Sequence, residues 1–274
     1  MSIPQAQIVE VFDRSAETYE QVGPAFFGPI GAGLATRAGI SPGARVLDLG
    51  CGRGHVLFPA AELAGPAGHV VGTDLAPRMV EATRAEAARR GLTQVEVLLG
   101  DAGAPDFPPG SFDVVLAGLV LFFLSDPAAA VQAYARLLRL GGRLAITTFG
   151  AQDPVYEEAM KAIAAFGAQT SGYQRHQVHN RLRAPESVTD LLAGNGFGEV
   201  SMDEATYETR FESPEQWWEW VWSHGGRATL EKVPADRTAE AQAQAFAIME
   251  RTRTPEGDLA IHTTARYTTA SMPA

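Results

Sequence analysis

The chain has 274 residues, 46% of them hydrophobic and 20% charged, with a formal net charge of −10. This is apolar material enough for one large domain, or one domain with an insertion, and the acidic balance argues against a nucleic-acid backbone or an anionic membrane surface as partner. The single Cys51 excludes an internal disulfide, and no Cys/His cluster has zinc spacing, so no metal is expected. No apolar run reaches the roughly 18 residues of a membrane span, and the start lacks the basic-then-apolar order of a secretion signal. A soluble cytoplasmic protein is expected, of unknown oligomeric state.

Residues 5–21 set Ile8, Val9, Phe12, Ala16 and Tyr19 at helical spacing and predict an amphipathic helix. "GPAFFGPIGAGLATRAG" is a Gly/Pro-broken lead-in ending in a short helix. "ARVLDLG" reads as a buried strand, "GHVLFPAAELAGPAG" as a helix stopped by Gly-Pro, and "HVVGTDL" as a second strand. "APRMVEATRAEAARRG" predicts a helix closed by Gly91. "VEVLLGDA" and "FDVVLAG" are strands three and four, "DPAAAVQAYARLLRLGG" a helix, and "RLAITTFG" a fifth strand. Strands alternating with helices imply βαβ units, a parallel sheet and right-handed crossovers.

After Gly150 the rhythm changes. Residues 151–195 read as helical with a soft middle, and "GEVSMDEATYETRF" as a strand. "SPEQWWEWVWSHGG" is a helix opened by Ser213 and Pro214, followed by a polar helix to about Thr254 and a last strand in "GDLAIHTTARYTTA".

Gly50, Gly52 and Gly54 stand at alternate positions between the first strand and the first core helix. There backbone N–H groups point outward and glycine allows a ligand to approach closely. A dinucleotide turn wants its third glycine at position 55, where His55 stands, and no Gly-Lys-Ser/Thr of a phosphate loop is present. The remaining pattern is acid-x-Gly-x-Gly-x-Gly, with Asp48 as the acid.

With "VLDLGCGRG", "GTDLAPRMV", "LLGDAGAPDFPPGSFDVVLAG" and "LLRLGGRLAITTF" in this order, the chain resembles the class I S-adenosylmethionine-dependent methyltransferases, in their broad bacterial small-molecule group. The resemblance implies an α/β, Rossmann-like, seven-stranded, mostly parallel sheet whose last strand is antiparallel, with a helical lid. It divides the single domain 1–274 into an N-terminal helical cap (1–40), a cofactor-binding core (41–150), a helical substrate lid (151–195 and 212–256) and closing strands (196–211 and 257–274). It also implies S-adenosyl-L-methionine as cofactor. Asp74 and neighbouring Leu75 would meet the ribose, Asp101 and Ala102 the adenine, and Leu119 the methionine ammonium. Asp48, Gly50, Gly52 and Gly54 would form the methionine cradle, and Tyr19 would close over it. Taken alone, an Asp at a strand end is commonly a helix cap, and Tyr19 reads equally as core.

The acceptor side is less specific. "AGLVLFFLSDP" lacks the Asn/Asp-Pro-Pro-aromatic run of base methylases and the carboxylates of a metal site. Phe122 and Phe123 read as core or as pocket wall. The four tryptophans of "QWWEWVW" read either as a buried clamp or as an aromatic wall. His176, His179 and His224 are candidate general bases should oxygen be the acceptor, while His55 reads as a cap of the first core helix and Cys51 as an inert turn residue. The functional expectation is methyl transfer to a small, largely apolar or aromatic molecule in natural-product metabolism. The alternative is a cofactor-binding protein of the same fold without transfer, such as a cyclase or a regulatory subunit.

Overall fold

The computed structural model describes residues 5–167, 182 and 184–273. Its centre is a seven-stranded sheet in the order β3-β2-β1-β4-β5-β7-β6. The strands are β1 (Arg45–Leu49), β2 (His69–Asp74), β3 (Val95–Leu99), β4 (Phe112–Gly118), β5 (Leu138–Gln152), β6 (Gly198–Phe211) and β7 (Leu259–Ser271). The first five pair in parallel, and β7 runs antiparallel to both neighbours. β1 sits mid-sheet with Val46, Leu47 and Leu49 fully buried, which is why it reads as a continuous apolar run.

Helices cover both faces. On one face α2 (Phe27–Arg37), α3 (Leu57–Ala64) and α4 (Pro77–Arg89) pack on the strands, joined at the antiparallel end by α8 (Pro214–Trp222) and α10 (Thr238–Met249). On the other, α5 (Pro127–Leu137) and α7 (Pro185–Ala193) close a second core around Leu47, Val115 and Ile146. α6 (Pro154–Phe166) and the short α9 (Arg227–Leu230) join the first core, α6 against α10, through Ala159, Ile163 and Leu230. Three starts follow the capping rule, with proline at the first helical position. Asp126 accepts from the Ala129 amide at 2.9 Å, Asp153 from Val155 at 2.9 Å, and Ser213 from Gln216 at 3.3 Å.

Two elements differ from expectation. The predicted helix over 5–21 ends early: α1 is Gln5–Ser15, and the chain then turns, with Glu20 in the left-handed region at φ 54°. The predicted helix through Gly142 stops at Leu137, because Leu138 already pairs with Phe112 and opens β5.

Candidate active site

The strands β1, β2, β3 and β4 end at one edge of the sheet, and a cavity of about 430 Å³ opens there. Ligand crevices of parallel sheets lie at this carboxyl edge, where the strand order reverses about β1. β1 turns into α3 through Gly50, Cys51, Gly52, Arg53 and Gly54. Gly50 has φ 69°, and a Cβ there would stand 2.6 Å from Val120 Cγ2, so only glycine fits. Gly52 has φ 49° and lines the cavity, and a Cβ on it would meet nothing within 4 Å. The turn therefore leaves free space where a side chain would otherwise stand.

At one end of the cavity are the acids. Asp74 closes β2 and accepts from the Gly52 amide at 2.8 Å and the Ala76 amide at 2.9 Å, which joins the glycine turn to the start of α4. Burial pushes its carboxyl above the ordinary value, against these bonds. Asp101 follows β3 and accepts from the Gly103 amide and from Gln5 Nε2, both at 2.7 Å, so α1 is tied across this end. Leu75, Met79, Ala102 and Phe123 complete the wall. Leu119, past β4, lines the cavity with φ 54°, a strained conformation of the kind found at functional sites.

At the other end the wall is mostly apolar. Gly31 of α2 packs on the backbone of His55, and Gly118 packs on Val56 and pairs in register with Thr147, so His55, Val56, Gly118 and Thr147 form one contiguous surface. Phe27 and Ile30 face the same space, and the Thr147 hydroxyl is buried without a partner. Tyr19 stacks on Phe27 with ring centroids 4.8 Å apart, and burial holds its phenol well above the ordinary value. Glu20 Oε1 accepts from the amides of Phe26 and Phe27, and Oε2 accepts from Gly28 at 2.8 Å and lies 2.7 Å from His55 Nε2.

The expected cofactor residues Tyr19, Gly50, Gly52, Asp74, Leu75, Asp101, Ala102 and Leu119 all stand on this cavity. Asp48 and Gly54 do not. Asp48 is buried beneath the turn, where it accepts from the Leu57 amide; burial and Asp74 push its carboxyl well up, and Oδ2 is left without a partner. Gly54 lies behind the turn, where a Cβ would strike the Phe58 ring.

His224 is corrected as a candidate base. It is buried off the cavity between Trp220 and Phe27, with Nδ1 accepting from the Gly226 amide at 3.1 Å, and burial pushes its pKa down to about 3. His176 and His179 lie outside the described residues. Of the two readings of the tryptophans the structure shows the buried one: Trp217, Trp218 and Trp220 are core, Trp222 packs on it, and none lines this cavity. The described parts of 151–195 and 212–256 supply none of the residues that line this cavity; α1 does, through Gln5, Ile8 and Phe12. No group of metal-ligating side chains occurs among the described residues, and no described helix is long and apolar enough to cross a membrane.

A methyltransferase-domain family profile matches residues 40–181. Nocamycin O-methyltransferase of Saccharothrix syringae is 42% identical over 246 residues, 85% of this chain and 88% of that protein. Aklanonic acid methyltransferase DauC of a Streptomyces species is 45% identical over 142 residues, 52% of this chain and 64% of its own. The chain belongs to the class I S-adenosylmethionine-dependent methyltransferases. Phosphoethanolamine N-methyltransferase 2 of Haemonchus contortus, solved with S-adenosyl-L-methionine, shares the fold at 18% identity and a TM-score of 0.60, covering 96% of this chain and 57% of that one. The cofactor of this methyltransferase is S-adenosylmethionine, and the residues present suit it. The open face of Gly52 admits a ligand to the backbone, buried carboxylates favour a cationic group, and Arg53, on the cavity wall, keeps a buried Nε–H without a partner that suits a carboxylate.

His55 does not cap α3 as expected: the helix starts after Val56 with no side-chain cap, and His55 faces Glu20 instead. Its deviation from the third-glycine position was visible, but its partner Glu20 is 35 positions away in a turn that carries no periodic signal.

Proposed function

We propose that this methyltransferase acts on an oxygen of a small, largely apolar, natural-product-like molecule. The observation that carries the reading is one cavity that holds both the carboxylates of Asp74 and Asp101 and the apolar side chains of Phe27, Ile30 and Val56. The nocamycin and aklanonic acid enzymes, matched at 42% and 45% identity, support this acceptor class.

The cofactor supplies, when bound, an electrophilic methyl group. In this reading Asp74 orders the ribose: its carboxylate takes the Gly52, Ala76 and Leu75 amides and, with two oxygens, keeps acceptor capacity for a hydroxyl. Asp101 and Ala102 hold the base, Arg53 answers the methionine carboxylate, and Tyr19 excludes water from above. Phe27, Ile30 and Val56 seat the acceptor by apolar contact. Catalysis rests on alignment and desolvation rather than on a covalent link to the protein.

Two measurements test the reading. Labelled methyl should pass from S-adenosylmethionine to a phenolic or polyketide acceptor. Asp74→Ala should weaken S-adenosylhomocysteine by about 2–3 kcal/mol, on the order of thirty- to a hundredfold or more, by calorimetric titration. The variant should also melt earlier, since backbone bonds to a charged group are lost with it. Wild-type affinity in folded Asp74→Ala protein would overturn the placement of the cofactor.

A further inference from the structure

We propose that His55, oriented by Glu20, is the general base that takes the proton from a hydroxyl acceptor. The inference rests on the oxygen-methylation reading above and adds a catalytic residue and a substrate class to it.

The geometry is that of an oriented imidazole. His55 Nε2 lies 2.7 Å from Glu20 Oε2. A carboxylate only accepts, so the proton sits on Nε2 and the lone pair on Nδ1. Nδ1 has no partner among the described residues, and the ring stands on the cavity wall. Glu20 is itself fixed: it accepts from three successive amides at the start of α2. It does so from a left-handed backbone conformation at φ 54°, which is strained for a residue with a side chain. Tyr19 stacks on His55 at 5.9 Å and Phe27 at 6.4 Å, so the ring plane is held from both the turn and the helix. Orientation by a carboxylate, one open nitrogen and an apolar surround are the parts of a base–orienter pair.

The groups that face His55 leave this role to it. Burial alone would raise the Glu20 carboxyl, but the His55 contact and the Phe26 and Phe27 amides outweigh it and hold it below the ordinary value, so it stays an anion. The Tyr19 phenol is pushed up and stays neutral. His224, beyond Phe27, is uncharged near neutral pH.

In the step, the acceptor O–H bond breaks and its proton goes to Nδ1. The oxygen keeps that electron pair and forms the new bond to the methyl carbon. The carbon–sulfur pair leaves with sulfur, giving a neutral thioether. The resulting imidazolium faces the Glu20 carboxylate and returns its proton to solvent. A base helps only an acceptor that arrives protonated. The acceptor that this base serves is therefore a phenol or enol; a carboxylic acid, ionised at neutral pH, would not need it.

The test uses the whole chain, S-adenosylmethionine, and two matched probes, 1-naphthol and 1-naphthoic acid. His55→Gln retains a donor toward Glu20, and His55→Ala removes the ring. With 1-naphthol near neutral pH, kcat should fall about a hundredfold or more in both variants, while S-adenosylhomocysteine affinity stays within about threefold. Toward the phenol range, about pH 10, the probe ionises unaided and the variants should approach the wild type. Any transfer to 1-naphthoic acid should be indifferent to the substitutions. An unchanged kcat, a loss that alkali does not recover, or an equal loss on both probes overturns the inference. If the wild type methylates neither probe, the functional reading fails, and nitrogen NMR of His55 in the S-adenosylhomocysteine complex decides separately. The proton should lie on Nε2 and the Nδ1 signal should move when 1-naphthol is added; a proton on Nδ1 or an unmoved signal overturns the assignment.

Discussion

Two regions of the molecule are rich in aromatic rings, and they do different work. On α8, Trp217, Trp218 and Trp220 are buried, and Trp220 meets Phe26, Phe211 and His224 edge-on. Around the cavity mouth, Phe12, Tyr19, Phe27 and Phe123 are only half-buried and stand beside charged or polar groups. The first region is dense and regular in sequence; the second is scattered over four segments. The difference teaches that closely spaced aromatics on a helix report burial. The cavity is walled instead by rings brought together from α1, the turn after it, the start of α2 and the segment past β4.

Three substitutions sharpen or break this contrast. Trp217→Ala, at a fully buried site, should cost about 3–5 kcal/mol in denaturant unfolding while leaving S-adenosylhomocysteine affinity of the folded protein unchanged. A loss of affinity there would mean that α8 does contribute to the site. Glu20→Gln should cost about 2 kcal/mol near neutral pH, through its amide bonds and the contact with His55. The sign follows from a carboxyl held below its ordinary value: its contribution is present above the unfolded glutamate range, about pH 4.3, and is lost as pH falls through the lower folded value. The gap between the melting temperatures of wild type and variant should therefore narrow in acid, and a gap that stays constant down to low pH would contradict this. Phe27→Ala should raise KM for an aromatic acceptor such as 1-naphthol about tenfold, with a smaller loss of stability than Trp217→Ala.

The acidic end of the cavity was legible because each acid ends an apolar strand and precedes a turn, a local pattern that a sequence carries intact. Asp74, Asp101 and the alternate glycines stand on the cavity together. Asp48 shares the pattern but lies underneath: it stands inside β1, one residue before the strand ends, and is buried against the start of α3, where it accepts from the Leu57 amide. The apolar end was not legible. Helical spacing ran on through Tyr19, and nothing local announced that α1 would stop at Ser15 and that Glu20 would turn back to cap α2. His55 was visible only as an exception to another motif. The start of β5 was hidden for a similar reason: Leu137, Leu138 and Leu140 suit a helix, and the pairing of Leu138 with Phe112 is a long-range contact.

The bond between Asp74 and the Gly52 amide has a consequence for how fast the site is ready. A glycine-rich turn free in solution samples many shapes, and a ligand that had to select one of them would lose affinity to ordering. Here the carboxylate holds the turn from below and is held in turn by the start of α4. The ordering entropy is borne by folding, and association starts from a rigid seat. The wall that α1 adds to this seat is held by Gln5 on Asp101, by Arg14 on Glu231 and by Asp13 on the Arg78 amide, so it too is set in place by the fold.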